Sequence, residues 1–157
     1  MSRVRRGVLG LLAVALVVVA GCTVKQKEPT VSFEDAQRRV IALVDDTLTA
    51  ALPTIPLGQP TPIGRHPCND AFGAPSENVS LDFERSFPIE GPLAERLVAD
   101  TERVWRERGY TVQRDDSDQK VAIRNATVDG YAMALYVNRT DKRAYLGASS
   151  PCVRPLS

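Results

Sequence analysis

The chain has 157 residues, 43% hydrophobic and 25% charged, with a formal net charge of +1. Three of its 20 basic residues, Arg3, Arg5 and Arg6, fall in an N-terminal leader; without them 17 basic residues face 19 acidic ones, a net charge of about −2. That balance excludes the clustered positive field that nucleic-acid phosphates require, and with it a polybasic attachment to anionic lipid.

The three arginines precede an apolar run from Val8 to Ala20, and Val19, Ala20, Gly21 and Cys22 then read as a bacterial lipobox. As a helix the run spans roughly 20 Å, short of the roughly 30 Å of hydrocarbon that a permanent span must cross. Residues 1–21 are therefore expected to be a lipoprotein signal peptide. Cys22 is the expected first mature residue, its thiol carrying the lipid. Val19 stands where such signals usually have Leu, and Arg5 with Arg6 fits a twin-arginine signal poorly. The two or three acyl chains of a lipoprotein attach it stably where one chain would hold it only marginally. The expected location is the extracytoplasmic face of the cell membrane. Thr23 to Thr30, with Lys25, Lys27, Glu28 and Pro29, reads as a tether of roughly 26 Å when extended. The lipidated tether thus covers 22–30 and a single domain 31–157, enough chain for one hydrophobic core and too little for two.

With Cys22 assigned to lipid, Cys68 and Cys152 remain, and in an oxidising compartment a disulfide between them is the natural reading. Closing a loop of about 85 residues stabilises a fold by roughly 4 kcal/mol in the chain-entropy model. The alternatives are a nucleophilic cysteine or a metal site, invited by His66 two residues before Cys68. A metal needs three or four ligands and the chain has one histidine, so no metal is expected.

Ser32 and Asp35 resemble a capping box, and Phe33, Ala36, Val40, Leu43, Val44 and Leu48 follow at helical spacing, so a helix is predicted up to Pro53. Its opposite face, with Arg38, Arg39, Asp45 and Asp46, is expected in solvent. From Pro53 to Pro75 six prolines and three glycines predict no regular element. That segment reads as a wrap stapled by Cys68, with a ligand or partner surface as the alternative. Val79, Leu81 and Phe83 alternate with polar residues in a strand that Arg85 interrupts before Phe87. A second helix is bracketed by Pro92 and Gly109, with Leu93, Leu97, Val98, Thr101, Val104 and Trp105 on its core face.

The remainder predicts a four-stranded meander: Tyr110 to Arg114, Lys120 to Thr127, Tyr131 to Val137 and Arg143 to Ala148. The expected fold is α+β: a two-layer sandwich in which two helices cover one face of an antiparallel sheet of about five strands.

Motifs that carry chemistry are scarce. Asp115, Asp116 and Asp118 suggest calcium, but the glycine and closing glutamate of an EF-hand loop are missing, so a solvated turn is expected. His66 lacks the partners of a catalytic triad. Arg103, Arg106 and Arg108 suit the negative end of the second helix, with anion binding as the alternative. Asn78, Asn125 and Asn138 begin glycosylation-type sequons, which carry no expectation in a chain with a bacterial lipobox. No catalytic residue, cofactor or metal ligand is assigned.

The lipobox, the helix running into a proline-rich stretch, the motif Pro67, Cys68, Asn69, Asp70, and the ending Ser149, Ser150, Pro151, Cys152 resemble the small uncharacterised lipoproteins of actinobacteria, such as the LppA-like group. Sixteen arginines against four lysines fit the GC-rich coding of such organisms. The resemblance implies a membrane-anchored domain with one disulfide and transfers no functional residue beyond the cysteines. Two functions are compatible with the sequence. One is a non-enzymatic envelope lipoprotein that binds a partner protein, lipid or glycan through the proline-rich segment or an exposed sheet face. The other is an enzyme or accessory subunit whose site is assembled from distant residues, for example carboxylates such as Glu84 beside Arg85.

Overall fold

The computed structural model describes residues 31–54, 57–70, 72–115 and 120–156. The expected signal peptide, Cys22, the tether, and Asp116 and Asp118 of the acidic turn lie outside the described residues.

Helix α1 spans Phe33–Ala51. The Ser32 hydroxyl accepts the Asp35 backbone N–H at 3.1 Å and donates to Asp35 Oδ2 at 2.8 Å, so the predicted cap forms around this pair. Pro53, which has no N–H to give to a further turn, follows the last helical bond from Leu52 N–H to the Leu48 carbonyl. Helix α2 spans Pro92–Glu107 with proline in its first turn. Gly109 beyond its end has φ +76°, a conformation that glycine adopts at no steric cost. Both helices bury the faces that their apolar spacing predicts.

The strands are β1 (Gln59–Pro60), β2 (Gly64–Asn69), β3 (Pro75–Pro88), β4 (Thr111–Asp115), β5 (Val121–Val128), β6 (Tyr131–Asn138) and β7 (Arg143–Ser149). All pairings are antiparallel, in the order β1-β3-β7-β6-β5-β4, with β2 also on β3. The β5–β6 connection is the two-residue Asp129-Gly130 turn, both residues at positive φ, which matches the twist of a tight hairpin. Helix α1 lies over β3 and β7, and α2 over β4, β5 and β6, giving an α+β fold in two layers with both helices on one face of the sheet. The core between the layers contains Leu43, Val44, Leu97, Trp105, Leu135 and Leu146, all at most 2% exposed. Among the described residues no helix is long and apolar enough to cross a membrane.

Three expectations need correction. The sheet has seven strands where about five were predicted, because the proline-rich segment contributes β1 and β2. Proline is excluded from central strands by its missing N–H, but β1 and β2 are edge strands that pair only with β3, so Pro60 and Pro67 are tolerated there. Arg85 does not interrupt β3, which runs unbroken for 14 residues. Its guanidinium turns toward α1 and grips Asp45 through two bonds of 2.6 and 2.9 Å, while a third at 2.8 Å reaches the Gly58 carbonyl. Asp45, assigned to the solvated face of α1, is therefore a partner of the sheet, and the same arginine ties the proline-rich segment to the domain.

Cys68 of β2 and Cys152, which follows β7, form a disulfide across 84 positions of sequence. Backbone bonds join Val79 to Val153 in both directions, so β3 lies between the two segments that the disulfide connects.

Candidate functional site

One face of the sheet is covered by helices; the other carries a shallow hollow of about 540 Å³. Alternation along the strands decides what lines it, because every second side chain points away from the helices. Register brings those side chains into rows across four strands. In one row Asn125, Ala134, Gly147 and Glu84 are neighbours; in the next, Thr127, Ala132, Ser149 and Asp82; in the row on the other side, Ile123, Tyr136, Tyr145 and Ser86.

The floor is thus made of small residues, Ala132, Ala134 and Gly147, flanked by a wall of two tyrosines whose ring centroids stand 6.0 Å apart at 58°. A Cβ at Gly147 would meet the Phe83 carbonyl at 3.5 Å and Glu84 Cβ at 3.8 Å, ordinary contact distances, so packing alone does not demand glycine there.

The opposite margin is acidic. Burial, and after it the charge of Asp82, push the Glu84 carboxyl above the ordinary glutamate range. Glu84 has no ion pair among the described residues. His66, on β2, reaches in from the rim and places Nε2 2.5 Å from Asp82 Oδ1, an oxygen that the surroundings otherwise bury without a hydrogen-bond partner.

The residues singled out by sequence therefore part company. His66 lies at the hollow, while Cys68 is committed to the disulfide. Glu84 and Arg85, offered as one assembled site, are adjacent in β3 and so face opposite sides of the sheet; only Glu84 reaches the hollow. Asn125 joins the floor row, whereas Asn138 caps its own turn by accepting the Thr140 and Asp141 backbone N–H groups.

The three arginines at the C-terminal end of α2 have partners within the protein. Arg103 pairs with Asp100 and Glu107, Arg106 with Glu102, and Arg108 donates to the Asp46 carbonyl. Glu102 is the hub of a structural cluster on the helix side: Arg106, Arg114 of β4 and the buried Arg124 of β5 all converge on its carboxylate. Hydrogen bonding from Arg114, reinforced by Arg106, holds the Glu102 carboxyl down to about 2 against the opposing effect of burial.

Sequence reasoning did not find the hollow. The available signal was compositional: outward positions of β6 and β7 carry Ala132, Ala134, Gly147, Tyr136 and Tyr145, where an ordinary solvent face alternates charged residues. Among the described residues no three His, Cys, Asp or Glu side chains are placed to hold a metal ion. Neither a protein-family model, nor a curated protein, nor a solved structure matches the chain.

Proposed function

We propose that this chain is a membrane-anchored lipoprotein of the cell envelope, related to the LppA-like group, whose domain binds a partner through the open face of its sheet without catalysing a reaction. The observation that carries the binding half is the hollow itself: a floor of small side chains between an aromatic wall and an acidic margin, open to solvent on one side. The support for the anchor is the leader ending at Cys22. The two halves are compatible in space. The described fold begins at Val31, just before α1 in the helix layer, on the other side of the sheet from the hollow. A domain held from that side presents its open face away from its attachment.

The test places a photoreactive amino acid at Ala134 in the full-length chain, in its own membranes, with and without Cys22→Ala. The expected result is a membrane-bound chain that yields a discrete adduct, and a Cys22→Ala chain that leaves the membrane fraction or is not matured. A Cys22→Ala chain that stays membrane-bound and is processed normally refutes the anchor. An Ala134 position that gives no adduct refutes the binding face.

A further inference from the structure

The hollow also carries information about what it receives. Its margin is unevenly paired: Asp82 and Glu84 stand together on β3, and while Asp82 meets His66, Glu84 is half-buried with no ion pair among the described residues. A partly desolvated carboxylate beside a second one is costly to charge, and a positive group brought to Glu84 relieves that cost. A metal ion is a poor candidate, because the described residues offer no set of three ligands. An organic cation suits every part of the site. Its apolar stem can lie on Ala134 and Gly147, and its charged head reaches Glu84, two strand spacings or about 10 Å from Ala134. The tyrosine faces add attraction for a cation passing over them. Tyr145 already takes one in this way, with the Arg143 guanidinium 5.9 Å from its ring centroid. Arg143 itself stands four residues along β7 from Gly147, roughly 13 Å, and makes no ion pair with Glu84.

Resting on the binding reading above, we propose that the hollow accepts one lysine or arginine side chain presented by an exposed segment of a partner polypeptide. Openness argues for a side chain over a free amine. A ligand buried on one side only gains little to offset its lost translational freedom, whereas a side chain already held by its own chain gives up less.

The full-length chain in detergent micelles, labelled at alanine methyls, is titrated with acetyl-Gly-Lys-Gly-amide, its arginine and norleucine counterparts, and cadaverine. The lysine and arginine peptides are expected to shift the Ala132 and Ala134 methyls saturably while the buried Ala36 and Ala144 stay fixed. Glu84→Gln is expected to weaken binding about fivefold, the effect of one partly screened charge pair. Gly147→Val fills the floor and is expected to abolish binding, with unshifted Ala36 and Ala144 certifying the fold. Equal binding of the norleucine peptide, or no effect of Glu84→Gln, overturns the cation while leaving a binding face intact. Cadaverine binding as tightly as the lysine peptide overturns the polypeptide partner. The crosslinking experiment at Ala134 separately decides whether the face binds anything.

Discussion

Replacing Glu102 with Gln removes one negative charge and little else, which makes it a clean test of how the sheet tolerates its own arginines. Arg114 and Arg124 sit directly opposite each other on β4 and β5, a like-charge cross-strand pair that would be destabilising alone. Glu102, 6% exposed, lies against both. Its carboxyl stands at about 2 in the fold against an ordinary value near 4.5. The difference corresponds to about 3 kcal/mol of stability at pH 7. Arg106 and Arg114 keep 57% of their side-chain surface in water, and screening there reduces the figure to about 2 kcal/mol.

The sign follows from the direction of the shift. A carboxyl held low in the fold contributes fully above its ordinary value near 4.5, and the contribution disappears as pH falls from there toward 2. Urea unfolding read by the fluorescence of Trp105, the single and fully buried tryptophan, measures it. At pH 7 Glu102→Gln is expected to unfold about 2 kcal/mol more easily than the native chain, and at pH 2.5 the two should agree within about 1 kcal/mol. A difference that stays constant across that range, or no difference at pH 7, refutes the charge argument.

Two threonines make opposite forecasts for one substitution. Thr47 Oγ1 accepts the Trp105 indole N–H at 3.2 Å and donates to the Leu43 carbonyl at 2.6 Å, so Thr47→Val leaves a buried indole unsatisfied and is expected to cost about 1–3 kcal/mol. Thr101 Oγ1 is buried without a partner, so Thr101→Val is expected to be neutral or to stabilise by about 1 kcal/mol, and thermal unfolding of both variants checks the pair. For the disulfide, Cys68→Ala with Cys152→Ala is expected to lower stability by roughly 4 kcal/mol, measured by the same urea titration; an intact chain that alkylates at both positions without reductant would show the bond is not formed in the isolated protein.

What the sequence made legible were elements whose signals are local. Pro92 and Gly109 bracket α2 because each backbone conformation is needed at that one place, and Asp129-Gly130 announces its hairpin for the same reason. The layer architecture followed, since two amphipathic helices and an alternating sheet leave few ways to bury their apolar faces. β2 was hidden because proline density is a local argument against a strand, whereas edge position, which licenses it, is a property of the whole sheet. Arg85 looked like an interruption because its partner Asp45 lies 40 residues away. The hollow was illegible for the same reason. Asn125, Ala134, Gly147 and Glu84 meet only through three successive registers, and none of them is unusual in its own neighbourhood.

β3 sets an order of events. Its outer edge takes β1 and β2 from the chain before it, while its inner edge waits for β7 and Val153, the last partners to be synthesised. A nascent chain can therefore dock β2 on β3 early and form the β4–β7 hairpins independently, but the two halves join only when β7 is available to pair with β3. Cys152 lies three residues beyond the end of β7, so the second thiol of the disulfide arrives only after every strand of the sheet has been made. Until then Cys68 is a free thiol on an exposed edge strand, the interval in which pairing with a wrong chain is easiest.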